Sequence, residues 1–143
     1  MKIDISLMDE LKRLALCGGS HPKVWVSSAL VFRNKVISFG FNQMKTHPFQ
    51  LKYSKNNQCV FWHAETSAIY NAHKKMNFDK FDKSVLYIAR MKYENTEKKN
   101  FVSGIAAPCD GCMRCIEKYG IKNVIYTLDH IENAKENYGV MII

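Results

Sequence analysis

Hydrophobic positions along this 143-residue chain follow two periods, one helical and one alternating, and the two take turns. Near the start Leu7, Leu11, Leu14 and Ala15 recur at helical spacing, which predicts an amphipathic helix with one face on a core. Ser6 is its expected N-cap, with Asp9 three residues on, and the glycines of Cys17-Gly18-Gly19-Ser20 are its expected stop. Residues 24–33 and 35–41 are rich in β-branched and aromatic side chains. Arg33-Asn34 between them suits a tight turn, so a β-hairpin is expected. Residues 42–60 show no clear period and carry Pro48, which reads as a long loop and a candidate substrate gate.

Helical spacing returns over 63–76, with Ala64, Ala68, Ile69 and Ala72 as its apolar positions. Residues 84–91 read as a buried strand, 92–100 as a charged loop, and 101–107 as a short apolar return. Pro108 fixes the backbone entering a second helix over 109–119, stopped by Gly120. A strand over 122–128, a helix over 129–138 and an apolar tail over 140–143 complete the pattern. With no repeat, low-complexity tract or linker, residues 1–143 are expected to form a single domain. Strand and helix alternate from the third element on, which argues for an α/β sandwich. Strands joined through a helix should run parallel and the opening hairpin antiparallel, giving a mixed sheet.

Composition narrows the class. Hydrophobic residues make up 47%, too many for a disordered chain. No apolar run approaches the roughly 20 residues needed to cross a bilayer, and the first residues lack the apolar segment of a secretion signal. The expected setting is therefore the cytoplasm, away from membranes. The net charge of +8 raises the question of nucleic acid, yet Lys and Arg are scattered and form no arginine-rich run. A solvated basic surface that also attracts free nucleotides accounts for that pattern. Five cysteines, at 17, 59, 109, 112 and 115, fit a disulfide framework poorly. Three within seven residues fit a metal site better.

The chemistry is carried by two stretches far apart in the chain, His63-Ala64-Glu65 and Pro108-Cys109-Asp110-Gly111-Cys112. One imidazole and two thiolates can hold a tetrahedral zinc and leave a fourth position for water. Glu65 adds a carboxylate that is free to move protons. Each stretch falls in the first turn of an expected helix, where the positive end of the helix dipole favours carboxylate and thiolate. Cys115 competes with Cys109 as the partner of Cys112, because Cys112 and Cys115 also repeat at i, i+3. The ordered pair His-x-Glu and Pro-Cys-x-x-Cys is the signature of zinc deaminases. On these residues the chain resembles the cytidine and deoxycytidylate deaminase superfamily.

That resemblance, covering about residues 19–128, implies a three-layer α/β/α sandwich with a mixed, mostly five-stranded sheet. It implies Zn2+ on His63, Cys109 and Cys112, with Cys115 a packed thiol one turn further in. It also implies Glu65 as the catalytic proton shuttle between water, ring nitrogen and departing ammonia. Gly40-Phe41-Asn42 matches a family pattern whose asparagine bonds the sugar, so Asn42 is expected in substrate binding. Backbone N–H groups of Ala64 and Cys109 are expected at the base edge. Phe61, Trp62 and Tyr126 are candidate stacking partners, and Lys45, His47 and Lys52 candidate phosphate contacts. Residues 63–69 look most like the deoxycytidylate form, although Ser67 stands where that form usually has asparagine.

The implied reaction is deamination of a free pyrimidine nucleotide, dCMP to dUMP, by a homo-oligomer. A deaminase acting on a base within tRNA or single-stranded DNA is the alternative, and would need a continuous basic track to its site. A zinc-stabilised module without catalysis would have no use for Glu65.

Overall fold

A computed structural model of the chain describes residues 2–54 and 61–143. Cys59 and the end of the expected gate loop lie outside the described residues. The element order is α1 (Ile5–Cys17), β1 (Trp25–Phe32), β2 (Lys35–Phe41), α2 (Pro48–Tyr53), α3 (Ala64–His73), β3 (Ser84–Tyr93), β4 (Phe101–Gly104), α4 (Asp110–Tyr119), β5 (Asn123–Thr127) and β6 (Tyr138–Ile142). A short 3-10 helix, Phe78–Lys83, leads into β3.

The sheet has six strands rather than five. Its order is β2-β1-β3-β5-β6, with β4 paired to β3 beyond the end of β5. Among the described residues only β3 and β5 pair in parallel, and the chain between them runs through β4 and α4. The β1–β2 hairpin is antiparallel as expected, and its turn residues Arg33 and Asn34 both take positive φ. Side chains on a strand alternate between faces, and here both faces are covered. Ala29, Tyr87, Ala89 and Ile125 meet Leu7, Met8 and Leu11 of α1. Their neighbours Leu30, Leu86, Ile88 and Val124 meet Tyr53 of α2, Ala68 and Ile69 of α3, and Cys115 and Ile116 of α4. The result is an α/β/α sandwich with α1 alone on one side.

Close approach is what seats α3 on the sheet. A Cβ at Gly40 would lie 2.2 Å from the Ala64 carbonyl oxygen and 2.4 Å from the Ala68 nitrogen, so only glycine lets the helix down onto β2. Serine hydroxyls then fasten it, with Ser28 donating to Ala64 O and Ser38 to Ala68 O, each at 2.6 Å.

Four sequence expectations are corrected. The N-cap of α1 is Asp4, whose carboxylate accepts from the Leu7 amide at 3.0 Å, while Ser6 lies exposed inside the helix. Part of the expected loop 42–60 is helix α2, with Pro48 in its first turn. The apolar return 101–107 and the charged loop before it are the second strand and the tip of a hairpin, because Phe101 to Gly104 pair with Tyr93 to Arg90. The helix expected over 129–138 is absent. Its candidate apolar residue Ile131 is 69% exposed, so no face is available to pay for ordering it. The chain instead turns into β6, where Gly139 accommodates the Tyr126 ring 2.4 Å from where a Cβ would stand.

Candidate metal and catalytic site

The site forms where the N-termini of α3 and α4 meet above the start of β1 and the C-terminal half of β3. His63 is the N-cap of α3 and Cys109 the N-cap of α4, and neither side chain makes a capping hydrogen bond. Both are turned toward each other instead. The His63 Nδ1 lies 3.5 Å from Cys109 Sγ and 3.3 Å from Cys112 Sγ. Tetrahedral zinc, with bonds of about 2.3 Å to sulfur and 2.0–2.1 Å to nitrogen, sets its N and S ligands about 3.5–3.6 Å apart. The His63 nitrogen therefore already stands near zinc-ligand spacing from both sulfurs, and all three donors lie within 4.8 Å of one another. Cys115 is not in this group; it is fully buried in the core beside Ile116.

The protonation states agree with a cation site. The Cys112 thiol donates toward Cys109 and, against the cost of burial and with help from His63, holds Cys109 down to about 3. The same contact, with burial, pushes Cys112 up. His63 is raised, first by its bond with Cys109. A divalent cation would take both sulfurs as thiolates and release those protons.

Glu65 stands beside the three donors without joining them. It is 7% exposed, and burial pushes its carboxyl up more than the His63 charge pulls it down. Positioning comes from Gln50 on α2, a fully buried side chain the sequence did not single out. Its Oε1 accepts from the His63 amide at 3.1 Å and from the Thr66 hydroxyl, while its Nε2 donates to Ser54 Oγ at 3.0 Å. Gln50 thus braces the start of α3 through the amide of its N-cap residue and the Thr66 hydroxyl, without supplying the cap itself, which would accept from an amide two or three residues on.

A cavity of about 300 Å³ opens onto these groups. It is lined by Asn42, His63, Ala64, Glu65 and Cys109 among the expected residues, together with Val24, Val26, Ile88, Arg90 and the segment Ile105, Ala106 and Ala107. Asn42 is fixed at the rim, its Oδ1 accepting from Val26 N at 3.0 Å and its Nδ2 donating to Val24 O at 2.7 Å. Tyr126 is not among the lining residues; its ring packs against Gly139. Trp62 stacks on His47 at 3.9 Å, and Phe61 lies edge-on to His21. Lys45, His47 and Lys52 also lie outside the lining. Arg90 falls within the strand expected over 84–91, and local pattern does not show that this strand borders the cavity. The available signal was an arginine interrupting the apolar run 85–91.

Comparison with known proteins places the whole chain rather than single residues. The family model described as the cytidine and deoxycytidylate deaminase zinc-binding region matches residues 1–128. Comparison with curated protein sequences gives no match. Among solved structures, a cytidine deaminase from Burkholderia pseudomallei aligns over 99% of this chain and 93% of its own, at 16% identity and a TM-score of 0.63. The dCMP deaminase of cyanophage S-TIM5 aligns over 90% of this chain and 86% of its own, at 20% identity and a TM-score of 0.59. At such identities these two establish the shared fold.

Proposed function

The chain belongs to the cytidine and deoxycytidylate deaminase family, and we propose that it hydrolyses a free pyrimidine nucleotide, dCMP, to dUMP and ammonia. The observation that carries this reading is Glu65, a buried carboxyl beside a His-Cys-Cys triad at the floor of a cavity of about 300 Å³, near the lower end for small-molecule sites.

His63, Cys109 and Cys112 would hold zinc, which when bound makes a coordinated water nucleophilic near neutral pH. Glu65 does the proton work. Burial raises the proton affinity of its carboxyl, so it can accept a proton from the attacking water and keep it long enough to deliver it. It passes that proton to the ring nitrogen next to the amine-bearing carbon as the new C–O bond forms. The C–N bond then breaks with a second proton placed on the departing nitrogen, so water and amine become carbonyl and ammonia. The Ala64 and Cys109 amides serve the base edge, and Asn42, held at the rim, keeps one Nδ2 hydrogen for the sugar. By the same family reading the enzyme is a homo-oligomer.

Among the described residues lining the cavity Arg90 is the one Lys or Arg, which favours a single small anion over a polynucleotide track. The test is ammonia release by the zinc-loaded enzyme from dCMP, dCTP, cytidine, adenine and guanine nucleotides, and short single-stranded oligonucleotides. Release from dCMP supports the proposal. Release from oligonucleotides alone would replace it with the polynucleotide reading.

A further inference from the structure

We infer that Arg90 is the residue that receives the substrate phosphate and so makes the enzyme prefer a nucleotide to a nucleoside. The inference rests on the proposed deaminase reading and adds the group that reads phosphorylation.

The sheet register places Arg90. It pairs with Val26 of β1 on one side and Gly104 of β4 on the other. Strand side chains alternate, so Val26, Ile88 and Arg90 share a face, and all three line the cavity that holds Glu65. Ile88 pairs with Ser28, whose hydroxyl bonds the Ala64 carbonyl under the start of α3. Arg90 is two residues further along β3, about 6.7 Å outward from that floor. A base lying against Glu65 would direct the rest of its nucleotide along this line toward the mouth.

The guanidinium has donors to spare. Its Nη1 lies 3.5 Å from the Ile105 carbonyl, and it takes part in no salt bridge among the described residues. Of its five N–H groups the remainder are open to a ligand. Asp129, the acid on that side, is occupied by Lys92 at 2.9 Å and the Ile105 amide at 3.0 Å. A half-buried guanidinium on a cavity wall, within Coulombic reach of Asp129 but in no salt bridge among the described residues, presents a planar fork suited to the oxygens of a phosphate.

Its support is rigid. The Arg90 amide donates to Thr127 Oγ1, which donates in turn to Gly104 O, locking β3, β4 and the end of β5 together. Across Gly104 the stems of Arg90 and Lys92 lie 3.3–3.4 Å from where a Cβ would be, so the absent side chain leaves room for both. On the opposite face Trp25, Tyr93 and Phe101 pack ring against ring at 4.5–5.2 Å and clamp the hairpin to β1.

The experiment compares wild type with Arg90→Gln and Arg90→Lys in kcat/KM for dCMP and deoxycytidine, and in calorimetric binding of dUMP and deoxyuridine. Losing charge-assisted hydrogen bonds should lower the dCMP-over-deoxycytidine preference about 10- to 100-fold in Arg90→Gln, mainly through KM. Arg90→Lys should recover part of it. The binding arm needs no turnover, and the dUMP advantage over deoxyuridine should shrink by the same factor. An equal fall with both substrates would overturn the inference in favour of a structural role, as would an unchanged preference. If wild type binds dUMP no better than deoxyuridine, the inference fails even where dCMP is deaminated. If it binds dUMP through Arg90 but releases ammonia only from an oligonucleotide, phosphate recognition stands and the free-nucleotide reading falls.

Discussion

Among the described residues four α-helices begin, and two begin differently from the others. The starts of α1 and α2 are closed by their own capping side chains, Asp4 accepting from Leu7 N and His47 Nδ1 from Phe49 N. Those of α3 and α4 carry His63 and Cys109 at the cap, and these side chains bond no helix amide. At α3 and α4 the cap side chains face each other and Cys112. Two caps worth about 1 kcal/mol each are forgone at the site. A bound metal offsets them, since ligand linkage contributes about 4 kcal/mol at a thousandfold excess over Kd. The α1 start keeps its cap, and the α3–α4 junction turns both cap side chains into the His-Cys-Cys cluster.

The comparison breaks most visibly at Glu65. Glu65→Gln should lower kcat by about 10²- to 10⁴-fold with zinc content unchanged, measured by single-turnover assay and metal analysis. An unaffected rate would remove the proton-shuttle role. Cys112→Ser, or chelation of the wild type, should remove zinc and cost about 4 kcal/mol of stability under zinc excess, read by unfolding with and without metal. Full metal content in Cys112→Ser would bring in Cys115 as the replacement ligand.

Gln50→Leu should cost about 1–3 kcal/mol by denaturant titration, because it leaves the His63 amide and the Ser54 hydroxyl without their buried partner. Asp4→Ala should cost about 1 kcal/mol and leave kcat alone, which separates a cap that only stabilises from caps that serve the site.

The smallest effect is on pH. Glu136 bonds Lys12 of α1 and the Ser103 hydroxyl. Burial works to raise its carboxyl, but these partners outweigh it and hold the carboxyl below its ordinary 4.5. A lowered carboxylate contributes stability above the unfolded value, and that stability fades as pH falls from 4.5 through the folded value. Glu136→Gln should flatten this acid limb by less than about 1 kcal/mol, since the carboxylate is half exposed. Identical acid limbs would mean the pair contributes nothing.

The elements that bury a periodic apolar face were legible in the sequence. Leu7, Leu11 and Ala15 on α1 and the valines and isoleucines of β1, β3 and β5 place themselves by burial, and solvent transfer acts on each locally. The β3–β4 hairpin was not legible, because its tip is the charged stretch 94–100 and β4 is only four residues long, too short for an alternating pattern to announce it. The supposed last helix failed for the converse reason: its composition suits a helix, but the sheet offers it no groove.

At the site, the sequence by itself determined which donors exist and that each would stand at a helix start, because His-x-Glu and Pro-Cys-x-x-Cys fix residue type and local spacing. Only the tertiary structure decided that His63 meets both sulfurs, that Gln50 braces the His63 amide, and that Arg90 rather than a lysine of the loop lines the cavity. Those contacts join residues 13 to 49 positions apart. Distances of that kind are set by the register of the sheet and the seating of helices on it, and no local pattern of residues encodes them.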